Sequence, residues 1–129
     1  MNEKQELNST NIKGRSLITC DIDGVLLYHY GSLDKLVNNP TMVLDGVKEK
    51  LQEWYLRDHK IILTTGRQAS MRQFTEKQLE EAGIFYHSLI MDVGRGPRVV
   101  INDCKPDSTE PTALSFSLER NKGLRGIDI

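Results

Sequence analysis

Leu17-Ile18-Thr19-Cys20-Asp21-Ile22-Asp23-Gly24-Val25 is the stretch on which the fold turns. Together with Arg15-Ser16, its first four residues form a short, mostly apolar run that stops abruptly at two acids and a glycine. That is the pattern of a buried strand ending in a loop. Downstream, Leu44, Val47, Leu51, Trp54 and Tyr55 recur at a 3–4 spacing, which predicts an amphipathic helix reaching about Asp58. Lys60-Ile61-Ile62-Leu63-Thr64 is a second buried strand, ending in Thr65-Gly66-Arg67, and Gln68 to Ala82 predicts a helix that Gly83 stops. Tyr86–Met91, Arg98–Ile101 and Thr112–Leu118 read as third, fourth and fifth strands. Strands separated by helices predict an α/β protein built on a doubly wound, mainly parallel five-stranded sheet. Met91 to Arg98 is too short for a helix, so one strand is expected to be irregularly connected.

With 129 residues, the chain has room for one core. Residues 15–129 are expected to form a single catalytic domain, with 1–14, almost wholly polar, as a flexible tail. Hydrophobic residues make up 38 %, and a formal charge of −1 supplies no electrostatic footprint for duplex nucleic acid or an anionic membrane. Val25–Tyr28 and Ile61–Leu63 are far too short to span a bilayer, and the first residues lack the apolar core of a secretory signal, so a cytoplasmic location is expected. Cys20 and Cys104 lie 84 positions apart without CxxC spacing, which argues for reduced thiols.

In open α/β sheets the ligand site lies at the carboxyl ends of the strands. Here those ends carry Asp21, Asp23, Thr65, Asp103 and Asp107. Clustered carboxylates repel unless a cation neutralises them, and hard oxygen ligands suit Mg²⁺, which is held by few carboxylates plus waters and substrate phosphate. The combination points to phosphoryl transfer.

These residues resemble the haloacid dehalogenase-like superfamily of phosphohydrolases, over roughly Leu17 to Asp107. Its first motif, an apolar strand then D-x-D-G, is matched by Leu17 to Val25, and its second, a strand ending in Thr or Ser, by Ile61 to Arg67. The fourth, commonly G-D-x-x-x-D, is matched by Asn102-Asp103-Cys104-Lys105-Pro106-Asp107, with Asn in place of Gly. The resemblance implies a Rossmann-like three-layer fold and a covalent mechanism. Asp21 would attack phosphorus. Asp23 would shuttle the proton. Asp21, Asp23, Asp103 and Asp107 would hold Mg²⁺, and Thr65 would donate to the phosphoryl oxygens. Gly24, Gly66, Arg67 and Arg95 would line the substrate, although Arg67 could equally cap or form an ion pair. The third motif, a Lys before the fourth, has no counterpart. Lys105 is the expected replacement, then Arg95, with Arg98 also near. A narrower resemblance, over Arg98–Pro106, Thr112-Ala113 and Glu119–Gly123, is to small members linked to sugar and surface-polysaccharide biosynthesis.

An EF-hand reading of Asp21-Ile22-Asp23 fails, because Val25 and Ser32 fall where that loop needs an oxygen ligand and its Glu. Gly94-Arg95-Gly96-Pro97 lacks the rest of a phosphate loop and reads as a turn; His29, His59 and His87 form no ligand pattern; Trp54 and Tyr55 read as packing. The expected function is Mg²⁺-dependent hydrolysis of a small phosphorylated metabolite, such as a sugar phosphate. The alternatives are a nucleotide or polynucleotide-end phosphatase, or a silent interaction module. The chain leaves no room for a cap domain, so the crevice is expected to be covered by a homo-oligomer, by Val25–Thr41, or by a large substrate.

Overall fold

The computed structural model describes residues 14–129, so the expected tail lies, apart from Gly14, outside the described residues. Three strands form one parallel sheet in the order β1-β2-β3: β1 (Leu17–Asp21), β2 (Lys60–Thr64) and β3 (Ser88–Ile90). Leu17 pairs with Lys60 and Asp21 with Thr64, while Thr64 in turn pairs with Ile90, so the three carboxyl ends are level. In β1 the alternation is clean: Ile18 and Cys20 face the core, and Leu17 and Thr19 face solvent. β2, the central strand, buries Ile61, Leu63 and Thr64, as a strand flanked on both edges should.

Between β1 and β2 the chain forms α1 (Leu33–Asn38) and α2 (Val47–Leu56). Ser32 caps α1, its hydroxyl accepting from the Lys35 N–H at 3.2 Å. In α2, Val47, Leu51 and Trp54 fall on one stripe and are buried, which presses the helix onto β2. After β2, a short 3₁₀ turn (Ala69–Met71) leads into α3 (Arg72–Glu81), so the helix expected from Gln68 starts a turn later. Gly83, at φ +70°, ends it as expected, with its N–H donating to the Glu80 carbonyl.

The core joins Ile18, Cys20, Ile61 and Leu63 of the sheet to Ile22, Leu26 and Leu27 of the following loop, to the α2 stripe and to Leu79 of α3. Leu124 and Ile127 close it from the far end of the chain. That closure requires the backbone of Gly123 to lie against Asp45. A Cβ there would stand 2.6 Å from the Asp45 nitrogen and closer still to its carbonyl oxygen, and φ is +82°. Burial pushes the Cys20 thiol up to about 12, and both cysteines are free.

The five-stranded expectation is corrected to three strands among the described residues. Val99, Val100 and Ile101 are 79, 66 and 93 % exposed, and no strand forms there or at Thr112–Leu118. The pattern in the sequence was strand-like, but a strand exists only with a partner ladder, and here side chains close the backbone locally instead. Asn102 Nδ2 donates to the Thr112 carbonyl at 2.9 Å, its Oδ1 accepts from the Asp103 N–H at 3.0 Å, and the Thr112 hydroxyl donates to the Asp103 carbonyl. The stretch Val25–Thr41, expected as one candidate cover for the crevice, contains α1 and folds back so that Tyr28 N–H donates to the Met42 carbonyl and, beyond it, Leu44 N–H to the Leu26 carbonyl, both at 2.9 Å. Among the described residues no helix is long and apolar enough to cross a membrane.

Candidate functional site

Asp21 is the last residue of β1, in alternation with the exposed Leu17 and Thr19, and is half-buried. Burial raises its carboxyl above the ordinary value; the Ile22 backbone N–H and the charge of Arg98 pull it back, Asp23 pushes it further up, and His29 lowers it. The chain then turns tightly, with the N–H groups of Leu26 and Leu27 both donating to the Ile22 carbonyl at 2.9 and 3.0 Å. Within that turn Gly24 is buried at φ +91°, a conformation only glycine takes without strain.

Asp23 is held by Arg67 of the loop after β2. Nε reaches one carboxylate oxygen at 2.9 Å and a terminal nitrogen the other at 2.8 Å, a bidentate pair whose side chains are 5 % and 23 % exposed. The other terminal nitrogen of Arg67 donates to Thr75 Oγ1 at 2.9 Å and Gln78 Oε1 at 2.6 Å, both buried on α3, and Gln78 Nε2 donates to Thr41 Oγ1 at 2.8 Å. One guanidinium therefore ties the end of β1 to α3, which is tied in turn to the segment before α2. Of the alternatives open for Arg67 in the sequence, the ion pair is the one formed. Its signal in the sequence was the polar pair Thr75 and Gln78, three apart on the buried face of a helix that otherwise buries Leu79.

Thr65 is 1 % exposed, and its hydroxyl oxygen accepts from the Arg67 N–H at 3.1 Å. Gly66 is exposed and lies against the Gly94 carbonyl, 3.1 Å from where its Cβ would stand. Arg95, Lys105, Asp103 and Asp107 are all exposed, and their side chains make no hydrogen bond or ion pair among the described residues. Lys105 is therefore not drawn to the acids. Arg98 is the cation whose charge reaches Asp21, although its guanidinium bonds the Gly96 and Gly94 carbonyls at 2.7 and 3.2 Å.

The residues present do not fit the expected four-carboxylate magnesium site. Both Asp23 oxygens are taken by Arg67, Asp103 and Asp107 stand in solvent, and among the described residues no three His, Cys, Asp or Glu are grouped to hold a metal. The physical reason is the missing fourth strand, whose pairing would have delivered Asp103 to the sheet's carboxyl edge. His59 and His87 are structural, as read from the sequence: their Nδ1 atoms accept from the Ser16 and Ile61 N–H groups at 2.9 and 3.0 Å. A cavity of about 450 Å³, lined by His59, His87, Lys60 and Arg15 among others, lies at the amino ends of the strands, away from Asp21.

The sequence missed the end of the chain. Asn121 N–H donates to the Gly24 carbonyl at 2.8 Å, and Asn121 Oδ1 accepts from the His29 N–H at 2.7 Å, across 92 positions. No periodicity marks such a contact.

No family model matches the chain, and no curated protein does. Among solved structures it is similar to a chain of the Pnkp1/Rnl/Hen1 complex, with 24 % identity over 69 % of this chain and 32 % of that one, at a TM-score of 0.54. A D,D-heptose 1,7-bisphosphate phosphatase from B. bronchiseptica, complexed with magnesium and phosphate, aligns at 15 % identity over 74 % of this chain and 53 % of that one, at a TM-score of 0.46. The chain thus spans about a third of the first and half of the second, and what it shares with the first is the fold, an α/β chain on a parallel sheet.

Proposed function

We propose that this chain hydrolyses phosphomonoesters through a phosphorylated Asp21. The observation that carries the reading is the pairing of a half-buried Asp21 at the end of β1 with a clamped Asp23 two residues on, beside Thr65 at the end of β2. The Asp21 carboxylate attacks phosphorus, the ester P–O bond breaks, and the leaving oxygen takes the proton of Asp23. Water then attacks the aspartyl-phosphate, releasing phosphate and restoring Asp21. Asp23 accepts the proton of that water. The Arg67 fork fixes the orientation of the Asp23 carboxyl for both transfers. The substrate class is a small phosphorylated metabolite, a sugar phosphate first, with nucleotides and phosphorylated polynucleotide ends as alternatives.

A second reading, a silent interaction module, is favoured by one observation: both Asp23 oxygens are already engaged. The test is a turnover screen over sugar phosphates, nucleotides and phosphorylated polymer ends, with and without Mg²⁺, using wild type and Asp21→Asn. Turnover that vanishes in the variant supports the hydrolase. Absence of turnover in every arm supports the module.

A further inference from the structure

An attacking carboxylate and a phosphate dianion repel, and the motif lysine that would offset them has no counterpart in this chain. Arg67 is committed to Asp23, and Arg98, whose charge reaches Asp21, has its donors on carbonyls of its own loop. Another arginine lies on the D-x-D-G turn itself. The Cγ of Arg120 is 3.2 Å, and its Nε 3.8 Å, from the position a Cβ on Gly24 would occupy. Its backbone is fixed there by the residues that follow it. Asn121 is bonded to Gly24 and to the His29 N–H, and three residues on, Leu124 N–H donates to the Asp45 carbonyl at 2.8 Å, with its side chain in the core. The charged neighbours of Arg120 have partners: Lys122 faces Glu119 at 3.7 Å, and Arg125 grips Asp45 at 2.5 and 2.7 Å. Arg120 is exposed and, among the described residues, makes no hydrogen bond or ion pair.

We propose that Arg120 is a substrate-binding residue, its guanidinium taking the phosphoryl oxygens of a phosphomonoester held at Asp21 in place of the absent motif lysine. Its planar fork of donors matches two oxygens of one phosphoryl group, and the missing Cβ at Gly24 lets the side chain lie across the turn. The inference rests on the phosphohydrolase reading, and two readouts separate their failures: KM and kcat on p-nitrophenyl phosphate, and the Kd for inorganic phosphate by calorimetry. Arg120→Ala raises KM and weakens phosphate binding roughly 10- to 100-fold, the scale of one charge-assisted contact, and changes kcat less. Arg120→Lys recovers part of the loss, and Lys122→Ala changes neither constant. Should the alanine variant not fold, Arg120→Gln keeps the stem as far as Cδ without the charge and is read by the same constants. Phosphate affinity equal in wild type and variant, or no phosphate binding in wild type, overturns the proposal. If wild type binds phosphate through Arg120 but turns over no ester, the hydrolase reading fails and the Arg120 assignment holds.

Discussion

At Asp21 the backbone and the burial act against each other, and pH reads the result. Its carboxyl is raised by burial, so the folded chain holds that proton more tightly than the unfolded chain does. The stability the group contributes is full below the unfolded value and is lost as pH rises through the folded one. Asp21→Asn is therefore expected to raise the melting temperature at neutral pH and to remove that part of the pH slope, while turnover falls to background. A variant with wild-type activity would disprove the covalent step. Asp23 gives a second prediction at this scale. Because Asp23 gives the leaving oxygen its proton and takes one back from water, Asp23→Asn should slow alkyl phosphates by the ~10²–10⁴-fold typical of lost acid–base help. An aryl phosphate, whose leaving group needs no proton, should lose less. Equal losses on both would remove the proton role.

Elements are held together here by few polar groups, each bridging two of them. Arg67 joins the β1 turn to α3. Arg67→Ala leaves Asp23 without its partner and Gln78 Oε1 short of a donor, for an expected loss of about 3 kcal/mol in denaturant unfolding. Arg67→Lys should restore little, since a point charge cannot make the fork. His59 joins the starts of β1 and β2 as a neutral imidazole, its pKa lowered by burial and next by Arg57. The stability it contributes is present above the unfolded value, near 6.5, and is lost as pH falls through the folded one. His59→Asn, whose Oδ1 can accept the same Ser16 N–H, should flatten the melting curve between pH 7 and 5; an unchanged slope would assign the titration elsewhere.

For the molecule as a whole, the stretch from Arg98 to Leu118 lies outside the sheet. Val100 is 66 % exposed, so Val100→Glu should shift stability by no more than about 0.5 kcal/mol, the range of ordinary surface changes. A loss of 2 kcal/mol or more would show that this segment is buried in solution. In the same way, Mg²⁺ without substrate should leave the melting temperature unmoved, because the carboxylates are not gathered to receive it. Gly123→Ala, by contrast, should cost about 2 kcal/mol or more, since the last segment seats on Asp45 only without a Cβ.

Local pattern was enough for much of what depends on neighbours in the chain, although α1 at Leu33–Asn38, with its Ser32 cap, was not read from it. The runs Leu17–Asp21 and Lys60–Thr64, the Val47-Leu51-Trp54 stripe and the Gly83 stop each appear where periodicity and turn chemistry put them. What periodicity cannot carry is a choice between partners far apart in sequence. Arg98–Ile101 had the composition of a strand and found no ladder, so Asp103 and Asp107 stay in solvent. Arg67 could have met substrate, and the folded chain gave it Asp23, 44 positions away. Arg120 and Asn121 lie on Gly24 only because Leu124 and Ile127 seal the core beyond them. Contacts of that kind are decided by which long-range closure buries the most apolar surface while leaving the fewest polar groups unpaired, a property of the assembled fold that no local window contains.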